Sequence, residues 1–401
     1  MPNRRRRKAR NDLNIIKTIN SKSFIILVIV LLCVIISCIG ISIFLHSKEM
    51  EKIAEEKERI KSHVEDIYTS AEMKIDELNN YKSNSIIRIS AVGDILLGSN
   101  MKKYGMDENG LYTNIFSDIT KYTKDADFVL GTYETSIKED TKVFANAIKE
   151  SNINMVTLAH NHALDDGEEG LANTKDYLNE IGIETIGIYE EESSNRVKIK
   201  EEKNAKIAFL SYTYDNNKKG VNIYNEDIIK KDLEYAKENA DFSIVLMHWG
   251  DVNKNYANEE QKSQAQFLVD NGADIIIGSH PSALQEMEII KNKDGKDCLV
   301  AYSLGDYTSD FQTDISNLEI ILNLELYYDV DKNEMSIYRV DYIPLYMNDY
   351  GETKTKNRYK ILDIKDKIAN YGENEIDKKI YDKLIKGIDK IYNIIGKKEE
   401  K

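Results

Sequence analysis

The sequence predicts an α/β fold with α+β edges, and three features of its patterning carry that reading. Apolar runs of strand length alternate with amphipathic stretches of helical length between residues 86 and 279. After about residue 284 the pattern changes to paired apolar runs about short polar turns. The runs are uninterrupted by internal repeats or low-complexity tracts. Strands alternating with helices call for a largely parallel sheet with covered faces, and paired runs call for antiparallel additions.

Taken in order, IIRISAVGDILLG at 86–98 reads as a first strand broken by Gly-Asp, and 127–132 as a second. NMVTLA at 154–159 gives a third, followed by a helix over about 168–181. Residues 205–213 and 242–248 are further apolar runs, and a helix over roughly 256–271 leads into DIIIGS at 274–279. EMEIIKNKDGKDCLVAYSL then reads as two strands about an Asp-Gly turn, and LEIILNLELYYDVDKNEMSIYRVDYIPLYM as a second antiparallel pair. A Lys/Asp/Ile-rich helical segment over about 361–395 closes the chain and is expected to be peripheral to the core.

The N-terminal region has a different character. Phe24 to Leu45 are 22 uncharged residues, mostly Ile, Leu, Val and Phe. That length crosses a hydrocarbon layer of about 30 Å at about 1.5 Å per residue. Arg4, Arg5, Arg6, Arg7, Lys8, Arg10, Lys17 and Lys22 precede it, which places residues 1–23 in the cytoplasm and everything after the helix outside. Two alternatives stay open, a cleaved signal peptide and lipidation at Cys38 within Ile35-Ile36-Ser37-Cys38. All three leave the body extracellular, so the expected setting is the cell membrane. Residues 46–85 are rich in Glu and Lys, with Ile60, Val64, Ile67, Ala71 and Leu78 at helical spacings. They read as a helical stalk, either self-associating or solvated. The expected organisation is thus a tail (1–23), a membrane helix (24–45), a stalk (46–85), a core (86–315), additional antiparallel strands (316–360) and a charged C-terminal helix (361–401).

Charge narrows the partners. The 401 residues carry a formal net charge of -14. Residues 1–45 hold eight Lys/Arg against one Asp, or +7, which leaves -21 on the rest. An acidic body of this kind repels nucleic acid and disfavours a long basic track for an anionic polymer. Cys33 and Cys38 lie in the apolar segment and Cys298 stands alone, so neither a disulfide framework nor a cysteine metal cluster can form.

Chemistry-bearing residues gather at strand ends. His46 and His63 belong to the stalk region, but His160, His162, His248 and His280 each follow an apolar run. Asp94, Glu134 and Asp165 occupy equivalent positions. Loops converge at the carboxyl ends of strands in open α/β sheets. Carboxylates and neutral imidazoles brought together there suit Zn, Mn or Fe. Each residue alone has a plainer reading: Asp94 as a turn cap, Glu134 as a solvated loop residue, His248 as a packed neighbour of Trp249. The convergence of the set gives the metal reading its weight. The chain contains neither a Gly-rich phosphate loop followed by Lys-Ser/Thr nor a Gly-x-Ser-x-Gly elbow.

Five segments resemble the poly-γ-glutamate capsule synthesis (CapA) family, in that family's order: AVGDILLG at 91–98, LAHNHALDDGEEGL at 158–171, HWG at 248–250, GADIIIGSHPSALQ at 272–285 and YSLGDY at 302–307. The resemblance implies a calcineurin-like metallophosphoesterase αββα sandwich and a divalent transition metal (Mn, Zn or Fe). It implies Asp94, Glu134, Asn161, His162, His248 and His280 as metal residues, and His162 with Asp165 as catalytic residues. His160, Asp251 and Asp306 are additional candidates. The family's Asn-Leu-Glu is Thr132-Tyr133-Glu134 here, and its Asn-Asn-His is His160-Asn161-His162. Val252, beside Asp251, stands in place of a Glu. Gly-His-His-Pro-His is Gly278-Ser279-His280-Pro281-Ser282, and Asn-Phe is Asp306-Tyr307. One ligand is thereby lost at Ser282 and His160 is a candidate gain, so the number of ions stays open. Three functions follow as expectations: a surface hydrolase or transferase, a non-catalytic subunit that holds or exports an anionic polymer alongside other capsule-synthesis membrane subunits, and a degenerate scaffold that recruits partners through its stalk.

Overall fold

A computed structural model describes Lys48 and residues 86–395, apart from 192–193, 215–218, 312, 314 and 373–375. The expected tail and membrane segment, and the stalk apart from Lys48, lie outside the described residues, with Cys33, Cys38, His46 and His63 among them. Among the described residues no helix is long and apolar enough to cross a membrane.

Among the described residues fourteen strands form two sheets. They are β1 (Ile86–Ile95), β2 (Phe128–Tyr133), β3 (Met155–Thr157), β4 (Glu184–Ile186), β5 (Lys198–Glu202), β6 (Ala205–Thr213), β7 (Phe242–His248), β8 (Ile275–Ser279), β9 (Met287–Lys291), β10 (Asp297–Ala301), β11 (Asp306–Thr308), β12 (Leu318–Asp329), β13 (Glu334–Asp349) and β14 (Tyr359–Asp363). The first sheet runs β14-β13-β12-β1-β2-β3-β4, with β11 also pairing with β1. The second runs β5-β6-β7-β8-β10-β9. The central strands of both are parallel, and β12, β13 and β14 extend the first beyond β1, each antiparallel to the strand before it in the sheet.

The helices are α1 (Ser99–Tyr104), α2 (Lys142–Glu150), α3 (Gly167–Glu180), α4 (Glu226–Asn239), α5 (Glu259–Asp270), α6 (Ile364–Ala369) and α7 (Lys378–Ile395). Phe144 and Ile148 of α2 and Leu171 and Leu178 of α3 share one core with Val129 of β2 and Val156 of β3. Ile229 and Leu233 of α4 and Leu268 of α5 share another with Leu210, Val245 and Ile276. The opposite faces of the sheets meet each other. Phe128 packs on Phe209 with ring centres 5.1 Å apart, and the Thr132–Ser279 and Thr157–Ser211 hydroxyl pairs bridge at 2.8 and 2.6 Å. The result is a mixed α/β arrangement of two sheets with helices outside.

Local chemistry sets the boundaries. The helix expected from about 256 starts at Glu259, because Asn258 forms a capping box in which its side chain accepts from Gln261 N–H and its own N–H donates to Gln261. Asn225 caps α4 in a similar way, accepting from Ile228 N–H. The strand expected over 154–159 is regular only from Met155 to Thr157. After it the chain turns into the site.

The C-terminal segment departs from expectation. Residues 359–363 form a strand on β13, and only then do α6 and α7 follow. Nor is α7 peripheral: Tyr381, Leu384, Ile388, Ile391 and Tyr392 are buried, with Gly387 closing onto Leu318. Their spacing of three and four puts them on one stripe, while Lys and Asp occupy the other face. The charged composition reflects the solvated face and hides the buried one.

Candidate metal centre

The carboxyl ends of β1, β2, β3, β7 and β8 lie along one edge and place the chemistry. Asp94 is buried one residue before the end of β1 and is held from two sides. Its N–H donates to Gly305 O at 3.1 Å, and its Oδ2 accepts from His280 N–H at 2.8 Å. Gly93 permits this close approach of β1 and β11, since a Cβ there would sit 1.8 Å from Gly305 O. Asp94 is the register partner of Asp306 on β11. Glu134 follows β2, anchored by its N–H to Ile95 O at 3.0 Å.

His248 ends β7 and is fully enclosed. Its Nδ1 lies 3.1 Å from Ser279 Oγ and 3.7 Å from Asp94 Oδ1. Its Nε2 lies 2.9 Å from Asn161 Oδ1 and 3.7 Å from Glu134 Oε1. Ser279 in turn bonds Thr132, so a hydroxyl pair from both sheets fixes the imidazole. The neighbouring Trp249 is a structural anchor, its Nε1–H donating to Tyr302 O at 2.9 Å.

His280 takes the left-handed backbone region, at φ +97°. A bulky residue is strained there. That conformation aims its N–H at Asp94 and packs its ring 4.7 Å from His248 and 4.9 Å from Tyr214.

The electrostatics are those of a nest of acids short of positive charge. Burial raises Asp94 to about 6 and Asp306 to about 8, the latter also repelled by Asp94. Glu134 is pushed well above the usual carboxylate range by burial, then by Asp94 and Asp306. Asp306 is 2% exposed, and neither of its oxygens, nor Asp94 Oδ1, finds a hydrogen-bond partner, although Ser309 and Ser282 hydroxyls draw Asp306 the other way. Burial lowers His280 to about 4, which keeps its imidazole neutral near pH 7. Donor atoms of Asp94, Glu134 and His248 all lie within 4.8 Å of one another. Carboxylates with orphaned buried oxygens beside a neutral imidazole fit a divalent transition metal.

The other sequence candidates surround this trio. Asn161 touches it through His248, and His280 through its backbone. His160 is buried with its ring 6.1 Å from His248. His162 stands at the lip of the cleft, 53% exposed, with Nδ1 2.7 Å from Asp165 Oδ2. Asp251 is exposed and accepts from Asn258 at 2.8 Å. Asp94, Glu134, Asn161, His162, Asp165, His280, Ser282 and Asp306 all line one cleft of about 510 Å³.

Sequence reasoning missed Ser279 as the brace of His248, Tyr214 as the wall against both imidazoles, and Lys102 and Lys138 in the cleft lining. Tyr214 follows the end of β6, the same signal that marked the histidines. The Ser279 contact joins register partners on neighbouring strands β7 and β8, far apart in the chain, and has no counterpart in local pattern. Glu319 of β12 was also missed. It is a buried acid raised well above its usual range by burial and then by Asp306.

Residues 88–311 match the protein family described as bacterial capsule synthesis protein PGA_cap. The capsule biosynthesis protein CapA of Bacillus anthracis is 27% identical over 266 residues, which cover 57% of this chain and 61% of that one. The PGA biosynthesis protein CapA of Bacillus subtilis (strain 168) is 27% identical over 252 residues, covering 57% and 64%. The chain thus spans a little under two thirds of the length of these curated relatives. Among solved structures, a phosphatase of Mycoplasma pneumoniae is similar at a TM-score of 0.43 and 14% identity, covering 65% of this chain and 94% of that one.

Proposed function

Because the chain belongs to the bacterial capsule synthesis PGA_cap family, we propose that it is a membrane-anchored, extracellular protein that works in making poly-γ-glutamate or another surface polymer through a metal-dependent hydrolase- or transferase-like centre. The observation that carries this reading is the buried convergence of Asp94, Glu134 and His248, with Asp306 in register beside them. The layering of helix, sheet, sheet and helix is what a calcineurin-like metallophosphoesterase would have. The apolar segment 24–45 and its basic flank support the anchor.

Asp94, Glu134 and His248 would hold the cation, with Asp306 and His280 at its margin. When bound, a divalent ion of the Mn, Zn or Fe type supplies Lewis-acid activation of a phosphoryl or carbonyl oxygen. The protein's own residues do the rest. Ser279 keeps the His248 ring turned toward the carboxylates. His162 Nδ1 lies 2.7 Å from Asp165 Oδ2; with both ring nitrogens protonated, Nδ1–H donates to that carboxylate and Nε2–H is the proton that can pass to a leaving group. His162 stands at the lip, where a substrate enters.

A second reading, a non-catalytic subunit that tethers polymer beside other capsule-synthesis membrane subunits, has one specific support. Ser282 lines the cleft where the family pattern has a histidine, so a two-ion centre lacks a ligand there. His162→Asn separates the two readings in cells. Lost polymer production, with unchanged protein level and thermal stability, supports catalysis. Unchanged production with normal metal content supports the tether.

A further inference from the structure

The cleft lining holds two unlike sets of side chains. One is the carboxylate and imidazole nest. The other is formed by Lys102 of α1 and Lys138 of the loop between β2 and α2, with the hydroxyl residues Ser136 and Thr141. Leu96, Leu97, Val252 and Phe311 are the apolar residues of the lining. Both lysines stand on braced backbone. Lys138 N–H donates to Thr141 Oγ1 at 2.7 Å, and Thr141 O–H reaches back to Ser136 O at 3.0 Å. Lys102 N–H donates to Gly98 O at 2.8 Å, and Lys102 O accepts from Tyr112 O–H at 3.0 Å.

Each ammonium group is paired with a solvent-facing aspartate. Lys102 meets Asp140, 62% exposed, at 2.6 Å, and Lys138 meets Asp166, 35% exposed, at 2.8 Å. Pairs this open to water are weak, and either lysine can exchange its partner for an incoming anion at little cost. The lining sets a limit on that anion. It holds five carboxyl groups, those of Asp94, Glu134, Asp165, Asp166 and Asp306, against two ammonium groups. Residues 46–401 as a whole, the lining included, carry -21. A long anionic chain laid across this surface is repelled along its length, whereas one acidic unit at the two lysines is not.

We propose that Lys102 and Lys138 form a carboxylate subsite that seats the terminal unit of an acidic chain, placing its first linkage over the carboxylate and imidazole nest. This rests on the metal-centre reading above and adds two things to it: the cleft recognises a chain end, not a chain interior, and two lysines outside the metal group set that preference. Methylene groups between the carboxylate and the linkage lie on Leu97, Val252 and Phe311. Because the lining is net acidic, binding strengthens once a cation occupies the nest.

The test is calorimetric titration of the full chain, purified in detergent, with a γ-linked glutamate trimer and with the same trimer carrying carboxamides. Each is run with and without Mn²⁺. For the metal-loaded protein the acidic trimer binds at least about tenfold more tightly than the carboxamide. Lys102→Gln with Lys138→Gln abolishes that difference while Mn²⁺ content stays unchanged, and Lys→Arg at both positions restores it. Long polymer binds one protein per chain end whatever its length. The proposal is overturned if the double Gln variant keeps the full preference, or if stoichiometry rises with polymer length. Failure of the metal reading looks different, since the wild-type protein would then take up no Mn²⁺ at all. In that event lysine-dependent binding of the trimer would still uphold the subsite, and its absence would refute it.

Discussion

The backbone N–H of His280, held at φ +97°, donates to Oδ2 of Asp94 at 2.8 Å. The bond joins the second sheet to the first at the point where the acids gather. It sits at a strained turn, His280 being left-handed and Ser282 following at φ +51°. Left-handed backbone at a bulky residue costs on the order of 1–3 kcal/mol and persists where its surroundings impose it.

From this follows a pair of stabilities. His280→Gly removes the imidazole and relieves the backbone, while His280→Ala removes the imidazole alone. The glycine variant should be the more stable of the two by about 1 kcal/mol in denaturant unfolding. Equal stabilities, or alanine the better, would mean that the conformation carries no strain.

The Gly93 position predicts a steric effect. A methyl group there meets Gly305 O, and β11 must move away from β1. Gly93→Ala should cost about 1–3 kcal/mol and weaken metal uptake, because it disturbs the Asp94–Asp306 register. Thermal melting together with metal titration checks both. Lost stability with full metal affinity would separate the packing from the site.

The acids predict how metal-free stability varies with pH. Asp94 rises to about 6, Asp306 to about 8, and Glu134 well above its usual value, burial being the first cause in each. Raised carboxyl values mean that the folded chain keeps protons the unfolded chain has released. The contribution to stability is therefore full below the ordinary carboxylate range, and it is lost as pH rises through the folded values. In EDTA the melting temperature should fall between about pH 5 and pH 8. With Mn²⁺ or Zn²⁺ the gain over EDTA should grow across the same window, because the ion displaces those protons. A flat difference between the two conditions would contradict it.

The C-terminal helix predicts that the body cannot be trimmed at residue 358. Leu384 and Ile388 are completely buried. Leu384→Ala and Ile388→Ala should each destabilise by about 2–5 kcal/mol. Cooperative unfolding that survives deletion of 359–401 would show that the helix is an appendage after all.

Much of the site was legible because strand ends carry it. An apolar run that stops at an aspartate or a histidine announces both the strand and the exposed end, as at Asp94 and His248. What stayed hidden depends on contacts between distant segments. Ser279 bracing His248 requires β7 beside β8, and Lys102 in the same cleft lining as the acids requires α1 to meet the loop after β2, where it pairs with Asp140. The helix α7 was undervalued for another reason. Its average composition is polar, and only the three-and-four spacing of Tyr381, Leu384, Ile388 and Ile391 reveals the buried stripe. Strands β4 and β11, at three residues each, are too short for any period to show.

The central claim is that Asp94, Glu134 and His248 hold a metal. Elemental analysis of the full chain after exposure to Mn, Zn and Fe and extensive dialysis tests it most directly, alongside Asp94→Asn and His248→Ala. The wild-type protein should retain about one ion or more per chain, and both variants should lose most of it while circular dichroism shows the fold intact. Wild-type protein that emerges metal-free, or variants that keep the wild-type content, would contradict the account.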